Sequence, residues 1–418
     1  MTRFSQIADE IAARIKSGLY RPGAKIPSVR KLAEEFSCAK LTVQRAFARL
    51  KADGLLENRV GSGSYVRFPE RIGRSGEVFD FSTDYLSETF FPAEEVRGIF
   101  NRLFERKGSG ALKAPPVEGD PELVRRLGRH YRLPTRRMLV LSGAQQGLDL
   151  AAKVFSARIS EAALFEDPTY PGAVTLFRAR HFVAMEEDGP RLSDLQRMLG
   201  EGVRLFYVMP SVHNPTGVAY SREKKEAVVE LARRFGVTLI EDDYQSEFAP
   251  PGSPRFVDLL PAQTLYIKSL AQVTVSGLRI GFMIVPESLY EKFRYAKYSA
   301  DIVSAGLLQQ FFSDFIRSRA YEAHLSAVRG RMAERRRRLV GLLAGYPDLS
   351  VPGDQSGSNL WVVSKRLLQI AHPPWTTGDH FSFSPRFADC FRISFMNLAD
   401  AHFQEGLDYL RSVLDRAL

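Results

Sequence analysis

Between residues 138 and 285 the chain alternates short apolar runs with longer helical patterns, and this alternation restricts the possible fold most. The runs 138–142, 162–165, 205–209, 237–240, 264–267 and 280–285 are almost wholly apolar, with no polar alternation. Strands of that kind are buried on both faces. Between and after them, 145–155, 222–235 and 289–298 repeat apolar residues at helical spacing. The pattern predicts an α/β fold, a mainly parallel sheet layered between helices, whose ligands bind at the strand ends. Beyond about residue 286 a mixture of helix and strand patterns predicts a smaller second lobe.

The first seventy residues follow a different rule. Ile7, Ala8, Ile11 and Ile15 form a helical stripe ending near Gly18; Ser28 can cap a second helix over 29–36. A third helix is predicted over 40–52 with Val43, Ala46, Phe47 and Leu50 inward, followed by two short strand-like runs around Gly61 and Gly63. Helix, helix, turn, helix, hairpin is the order of a winged helix-turn-helix. Lys40, Thr42, Gln44, Arg45 and Arg49 are left to face outward, residue types suited to phosphates and base edges. Residues 1–70 carry 13 Lys and Arg against 7 Asp and Glu, a net of +6 out of +10 for the chain, so a polyanionic partner belongs to this end. Residues 69–77, rich in Pro, Gly and charge, read as a short linker before a second domain over 78–418.

Composition narrows the setting. The start of the sequence has no apolar leader and no run of eighteen apolar residues occurs, so a cytoplasmic protein outside the membrane is expected. Cys38 and Cys390 are far apart and lack ligand spacing, which argues against a disulfide framework or a metal site.

Several strand ends carry polar motifs: Ser142 to Gln146 opening a helix, Glu166 to Gly172 with Tyr170, His213 to Gly217 with Asn214, Glu241 to Tyr244, and the stretch from Ser269 through Gln272 to Arg279. Near the C-terminus lies Arg392. Each is weak alone. The basic run Arg335 to Arg338 lies on a helical pattern and reads as a solvated face, and Trp361 reads as core.

Residues 26–36, Thr42 and Val43, 52–56 and 61–66 resemble the GntR-type DNA-binding domain, covering nearly all of 1–68. That resemblance implies DNA contacts from Arg30, Lys40, Thr42, Gln44, Gly61 and Gly63, to which the outward-facing Arg45 adds a candidate, with Ala39 where a capping Ser or Thr is usual. The strand-end motifs, in their order and spacing, resemble fold-type I aminotransferases, and the whole chain resembles the MocR subfamily of GntR regulators. The resemblance implies a large, mainly parallel α/β/α lobe with a smaller α+β lobe, and a homodimer binding double-stranded operator DNA. It also implies a pocket for pyridoxal 5'-phosphate: Tyr170 stacking on the ring, Asn214 and Tyr244 on its phenolic oxygen, Asp242 on its pyridinium nitrogen. Gly143, Ala144, Gln145, Ser269 and Arg279 would hold its phosphate, and Arg392 an effector carboxylate.

Two departures stand out. Ala114 falls where the family often places a tyrosine, and Gln272 falls, three residues after Ser269, where the family places its imine-forming lysine. An amide cannot attack an aldehyde, so transamination loses its anchor and its proton shuttle. Lys268 is the one amine in that segment. The expectation is a regulator that is not an enzyme, binding the cofactor, a vitamin B6 relative or an amino-compound adduct non-covalently. The rival readings are a vestigial pocket serving only as a dimerisation scaffold, and a working aminotransferase.

Overall fold

The computed structural model describes residues 3–16, 20, 25–53, 55–59, 63–66, 79–155, 162–249, 252–274, 276–368, 370, 373–383 and 385–418. The chain divides into two compact units, Met1–Ser75 and Gly76–Leu418.

In the first unit, α1 (Arg3–Lys16), α2 (Val29–Glu35) and α3 (Lys40–Ala52) precede β1 (Leu56–Arg59) and β2 (Gly63–Val66). Ile7, Ile11, Leu32, Val43, Phe47, Leu50 and Val66 form one core, which the 3.6-residue spacing brings together from three helices. Ser28 Oγ accepts from Lys31 N at 3.3 Å and starts α2, whereas Ala39 offers α3 no side-chain cap. The strands pair antiparallel, Leu56 opposite Val66 and Arg59 opposite Gly63, and Ile26 N reaches Ser64 O at 3.0 Å. Gly18, Gly61 and the expected linker 69–77 lie outside the described residues.

One outward-facing side chain of the sequence reading turns out to be structural. Arg49 donates to Ser5 Oγ at 2.5 Å and pairs with Asp9 at 2.9 Å, clamping α3 to α1.

The second unit is built on an eight-stranded mixed sheet. In chain order its strands are β3 (Met138–Leu141), β4 (Ala163–Asp167), β5 (Arg180–Glu186), β6 (Gly189–Pro190), β7 (Leu205–Val208), β8 (Thr238–Asp243), β9 (Thr264–Ser269) and β10 (Gly281–Ile284). They lie side by side as β3-β10-β9-β8-β7-β4-β5-β6. The run from β9 to β5 is parallel; β10 is antiparallel to both neighbours, and β6 to β5. Helices cover both faces. Leu148 and Leu150 of the helix Ala144–Phe155 pack with Phe293 against Phe165, Tyr207, Ile240 and Ile267 on one side. On the other, Val228 and Ala232 of the helix Arg222–Phe235 meet Phe206, Val208 and Leu239. That helix begins where Ser221 Oγ accepts from Lys224 N at 3.0 Å and ends at Gly236 in the left-handed region, φ 65°.

A smaller lobe carries β11 (Leu349–Ser350), β12 (Asn359–Ser364), β13 (Thr376–Thr377) and β14 (Cys390–Ser394), ordered β11-β12-β14-β13 and antiparallel throughout. The helices Arg319–Leu343 and Phe403–Ala417 pack on it through Val328, Met332, Leu339, Leu407 and Leu410. Residues just after position 79 are stitched to this lobe: Phe81 N donates to Pro374 O and Ser394 N to Phe81 O, each at 2.8 Å. Trp361 is core, beside Phe381.

The basic run is only in part the solvated face expected: Arg337 is exposed, whereas Arg335 and Arg336 turn inward. Arg335 is buried and donates to Phe395 O at 2.9 Å, Leu398 O at 2.8 Å and Asp400 at 2.8 Å, its guanidinium over Phe403. Arg336 binds the carbonyls of Gly357 and Asn359, and burial lowers its pKa to about 10. Adjacent arginines more than four turns into a long helix here tie it to loops of the small lobe.

Candidate functional site

Side chains alternate across a strand, so β8 sends Asp242 to one face and Asp243 to the other. Asp242 shares its face with Tyr207, whose hydroxyl donates to Asp242 Oδ2 at 2.7 Å. Asp242 Oδ1 is buried and has no hydrogen-bond partner among the described residues. Burial pushes this carboxyl up to about 7, against the pull of the Tyr207 bond. Just past the strand, the Tyr244 hydroxyl is also buried, with no partner of hydrogen-bonding geometry among the described residues, and burial raises its pKa well above 10.

The loop after β7 brings Asn214 to Arg392 of β14: Arg392 Nη1 donates to Asn214 Oδ1 at 2.9 Å, and Nη2 to Ser82 O at 2.8 Å. The Arg392 guanidinium lies over the Phe381 ring, 4.8 Å from its centre. Asp84 joins the group from the segment after position 79. Its Oδ2 is 3.7 Å from Arg392 Nη1 and accepts from Asn359 Nδ2 at 3.0 Å, while Oδ1 accepts from Ser358 Oγ at 2.8 Å. Gln272, 5% exposed, donates through Nε2 to Asp84 O at 2.5 Å. Its Oε1 is buried with no partner among the described residues.

At the other end, Gly143 takes φ 94° ahead of the helix Ala144–Phe155, and a helix N-terminus is the kind of place that can bind an anion. A Cβ at Gly143 would come 2.9 Å from Arg279 Nη2, so glycine there lets the guanidinium lie against the backbone. Arg279 is itself exposed, held by Ser142 O at 3.4 Å. Ser269, on the Asp242 face, accepts from Ala271 N at 3.3 Å. Gln145 donates to Gly172 O and accepts from the Tyr170 hydroxyl, both at 3.0 Å. The Tyr170 ring folds over Gly172, where an added Cβ would lie 2.4 Å from Tyr170 Cζ.

Lys268 is elsewhere. It pairs across the sheet with Asp243, on the face opposite Asp242. Its Nζ is 3.1 Å from Asp243 and 2.7 Å from Glu247, fully buried. Burial alone would lower its pKa, but the two carboxylates outweigh that and raise it.

In the first unit, Arg30, Lys40, Gln44 and Arg45 are exposed and Thr42 is half-buried. Arg30 pairs weakly with Glu34, one helical turn away at 3.4 Å. Gly63 begins β2, opposite Arg59.

The profile of the aminotransferase class I and II family matches residues 82–410. The chain belongs to that family. Its sheet is the fold-type I sheet. A second profile, that of the bacterial regulatory proteins of the gntR family, matches residues 4–66, so an N-terminal GntR helix-turn-helix is joined to the aminotransferase-like domain. Among relatives, the chain is 27% identical over 353 residues to an HTH-type transcriptional regulator, YcxD, of Bacillus subtilis, with 81% of this chain and 80% of that protein covered. It is 25% identical to the probable rhizopine catabolism regulatory protein MocR of Rhizobium meliloti, covering 97% and 92%. Among solved structures, the α-aminoadipate aminotransferase LysN of Thermus thermophilus superposes with a TM-score of 0.75 at 22% identity, covering 88% of this chain and 97% of that one. That likeness concerns the fold.

Sequence reading missed Tyr207, Asp84, Ser358 and Asn359. Tyr207 lay hidden inside an apolar run, where only the strand's alternation with Asp242 could have exposed it. Asp84 sits in a segment without regular structure and offers no signal at all. Among the described residues, no cluster of three or more His, Cys, Asp or Glu is arranged to hold a metal ion, and no helix is long and apolar enough to cross a membrane.

Proposed function

We propose that this chain is a cytoplasmic, homodimeric transcriptional regulator. Residues 1–68 would bind operator DNA, 69–77 link, and 78–418 dimerise and hold pyridoxal phosphate, a related vitamer or an amino-compound adduct without a covalent bond. The regulator reading rests on the GntR match and on relatives named as regulators. The pocket reading rests on Asp242. A buried carboxylate oxygen with no partner, raised to about 7, is what a protonated pyridine nitrogen would complete. Tyr207 orients that carboxylate, and the Tyr244 hydroxyl and Asn214 would receive the ring's phenolic oxygen. Gly143, Ala144 and Gln145 at a helix start, with Ser269 and Arg279, suit the phosphate, and Tyr170 the ring face.

When bound, the cofactor would supply an electron-withdrawing ring. This chain's own residues would bind and orient it; none is placed to move a proton at its reacting carbon if Gln272 holds the lysine position. The amide of Gln272 neither attacks an aldehyde nor accepts a proton at neutral pH. Lys268, on the opposite face and held by Asp243 and Glu247, is no substitute. We therefore take the domain to be catalytically inactive.

A homodimer accords with exposed apolar side chains in this unit, Phe104, Leu112, Tyr295, Tyr298 and Ile302. Two heads would then read two half-sites, with Arg30, Lys40, Thr42, Gln44, Arg45 and the Gly61 and Gly63 tip against DNA. One observation favours a scaffold without ligand: Arg392 and Gln272 already bind the chain's own atoms. Calorimetric titration with pyridoxal phosphate and pyridoxamine phosphate decides between the two. Saturable binding supports the sensor, and no heat with either supports the scaffold. Gel shifts on DNA upstream of its own gene test the regulator, which fails if no fragment competes above random DNA.

A further inference from the structure

We infer that Asp84 occupies the anion side of the effector pocket, so that the adduct this protein accepts lacks a free carboxylate. This rests on the pocket reading above. The Arg392 guanidinium is the cation expected to grip a carboxylate, yet Asp84 already stands against it at 3.7 Å. Both side chains are nearly buried, 8% and 13% exposed. Asp84 is not a passing contact. Ser358 Oγ and Asn359 Nδ2 each donate to one of its oxygens, at 2.8 and 3.0 Å, and Gln272 grips its carbonyl. Asn359 is in turn set by Ser394 Oγ at 2.7 Å. Arg392 Nη1 and Nη2 also donate to Asn214 Oδ1 and the Ser82 carbonyl.

A second carboxylate entering here meets one guanidinium already matched by one carboxylate. It must shed water in a site where the charge balance is closed, and it faces Asp84 at short range. An amine adduct without that group meets no such penalty. Like-charge exclusion of this kind sets specificity by rejecting the wrong ligand as much as by attracting the right one. The chemical class that fits is an amine, or a vitamer itself, carried on the pyridoxyl phosphate ring.

The test uses two reduced, stable adducts of pyridoxal phosphate that differ only in one carboxylate: those with L-leucine and with 3-methylbutylamine. Titrations of the full-length protein are expected to show the amine adduct bound at least about tenfold more tightly. Asp84→Asn and Asp84→Ser are expected to tighten the leucine adduct about tenfold while moving the amine adduct less than about threefold. Equal affinities in the wild type, or preference for the leucine adduct, overturn the inference and leave the pocket reading standing. So does retention of the preference in both variants when thermal melts show them folded. If neither adduct nor pyridoxal phosphate binds, the pocket reading fails and the inference with it. The wild-type comparison settles the sign even where a variant does not fold.

Discussion

Lys268 and Asp243 face each other on neighbouring strands, 3.1 Å apart and fully buried, on the side of the sheet away from Asp242. This pairing turns the β9 amine away from the candidate pocket. It also makes Lys268 a stability residue. Glu247 completes the group at 2.7 Å, and the Tyr266 hydroxyl donates to Asp243 at 2.5 Å.

Lys268→Met is therefore expected to leave two carboxylates uncompensated and to destabilise the second unit by about 3–5 kcal/mol, the usual cost of breaking a buried pair from one side. Urea denaturation measures it. A loss under about 1 kcal/mol would mean that Asp243 and Glu247 are not held as ions by this lysine.

Asp242 predicts the opposite sign. An unfolded aspartate releases its proton near pH 4, whereas folded Asp242 keeps it to about 7. Between those values the folded state holds the extra proton, so stability falls as pH rises through the window and stays low above it. Asp242→Asn, which can still accept from Tyr207, is expected to stabilise the ligand-free protein at about pH 8 by on the order of 2 kcal/mol. Near pH 4 the two should melt alike, and a variant less stable than wild type at high pH would contradict this. Glu241, also raised to about 7 by burial, leaves a residual slope in both proteins.

Much of this architecture was legible because burial writes itself into sequence. The strands β3, β7 and β10 are buried along their whole length and read as unbroken apolar runs. Near the rim, β5 was not legible, since its Arg180–Glu186 stretch mixes exposed and buried positions. Arg335 and Arg49 were misread for one reason: charge in a sequence suggests solvent, and only tertiary partners such as Asp400 and Asp9 reveal otherwise. In the candidate site, strand-end motifs announced Asp242, Tyr244 and Asn214. The Asp84 cluster depends on a segment folding back onto β12 and β14, a long-range event with no local signature.

In the DNA-binding unit, exposed and clamped side chains should separate cleanly. Lys40→Ala is expected to weaken all DNA about equally and to reduce the salt slope by about one phosphate contact. Gln44→Ala and Arg45→Ala should lower binding with melting curves unchanged. Arg49→Ala should instead cost about 1 kcal/mol of stability by freeing Asp9 and Ser5. Fluorescence anisotropy across salt concentrations, with thermal melts, reads both. Equal stability losses at Gln44 and Arg49 would contradict the division.

At position 272, Gln272→Lys puts an amine beside the Asp84 carbonyl that Gln272 now grips. Added pyridoxal phosphate is expected to give the variant a new visible absorption band that borohydride removes and fixes to the chain. The double variant with Asp242→Ala should lose most of that band. A Gln272→Lys protein that binds the cofactor but stays colourless would show that position 272 does not face the ring.

The most direct measurement is equilibrium titration of the wild-type protein with pyridoxal phosphate, followed by borohydride and mass analysis of the chain. Saturable binding near one molecule per chain, with no mass added after reduction, is the predicted result. Absence of binding, or a phosphopyridoxyl group fixed at Lys268, would contradict the account.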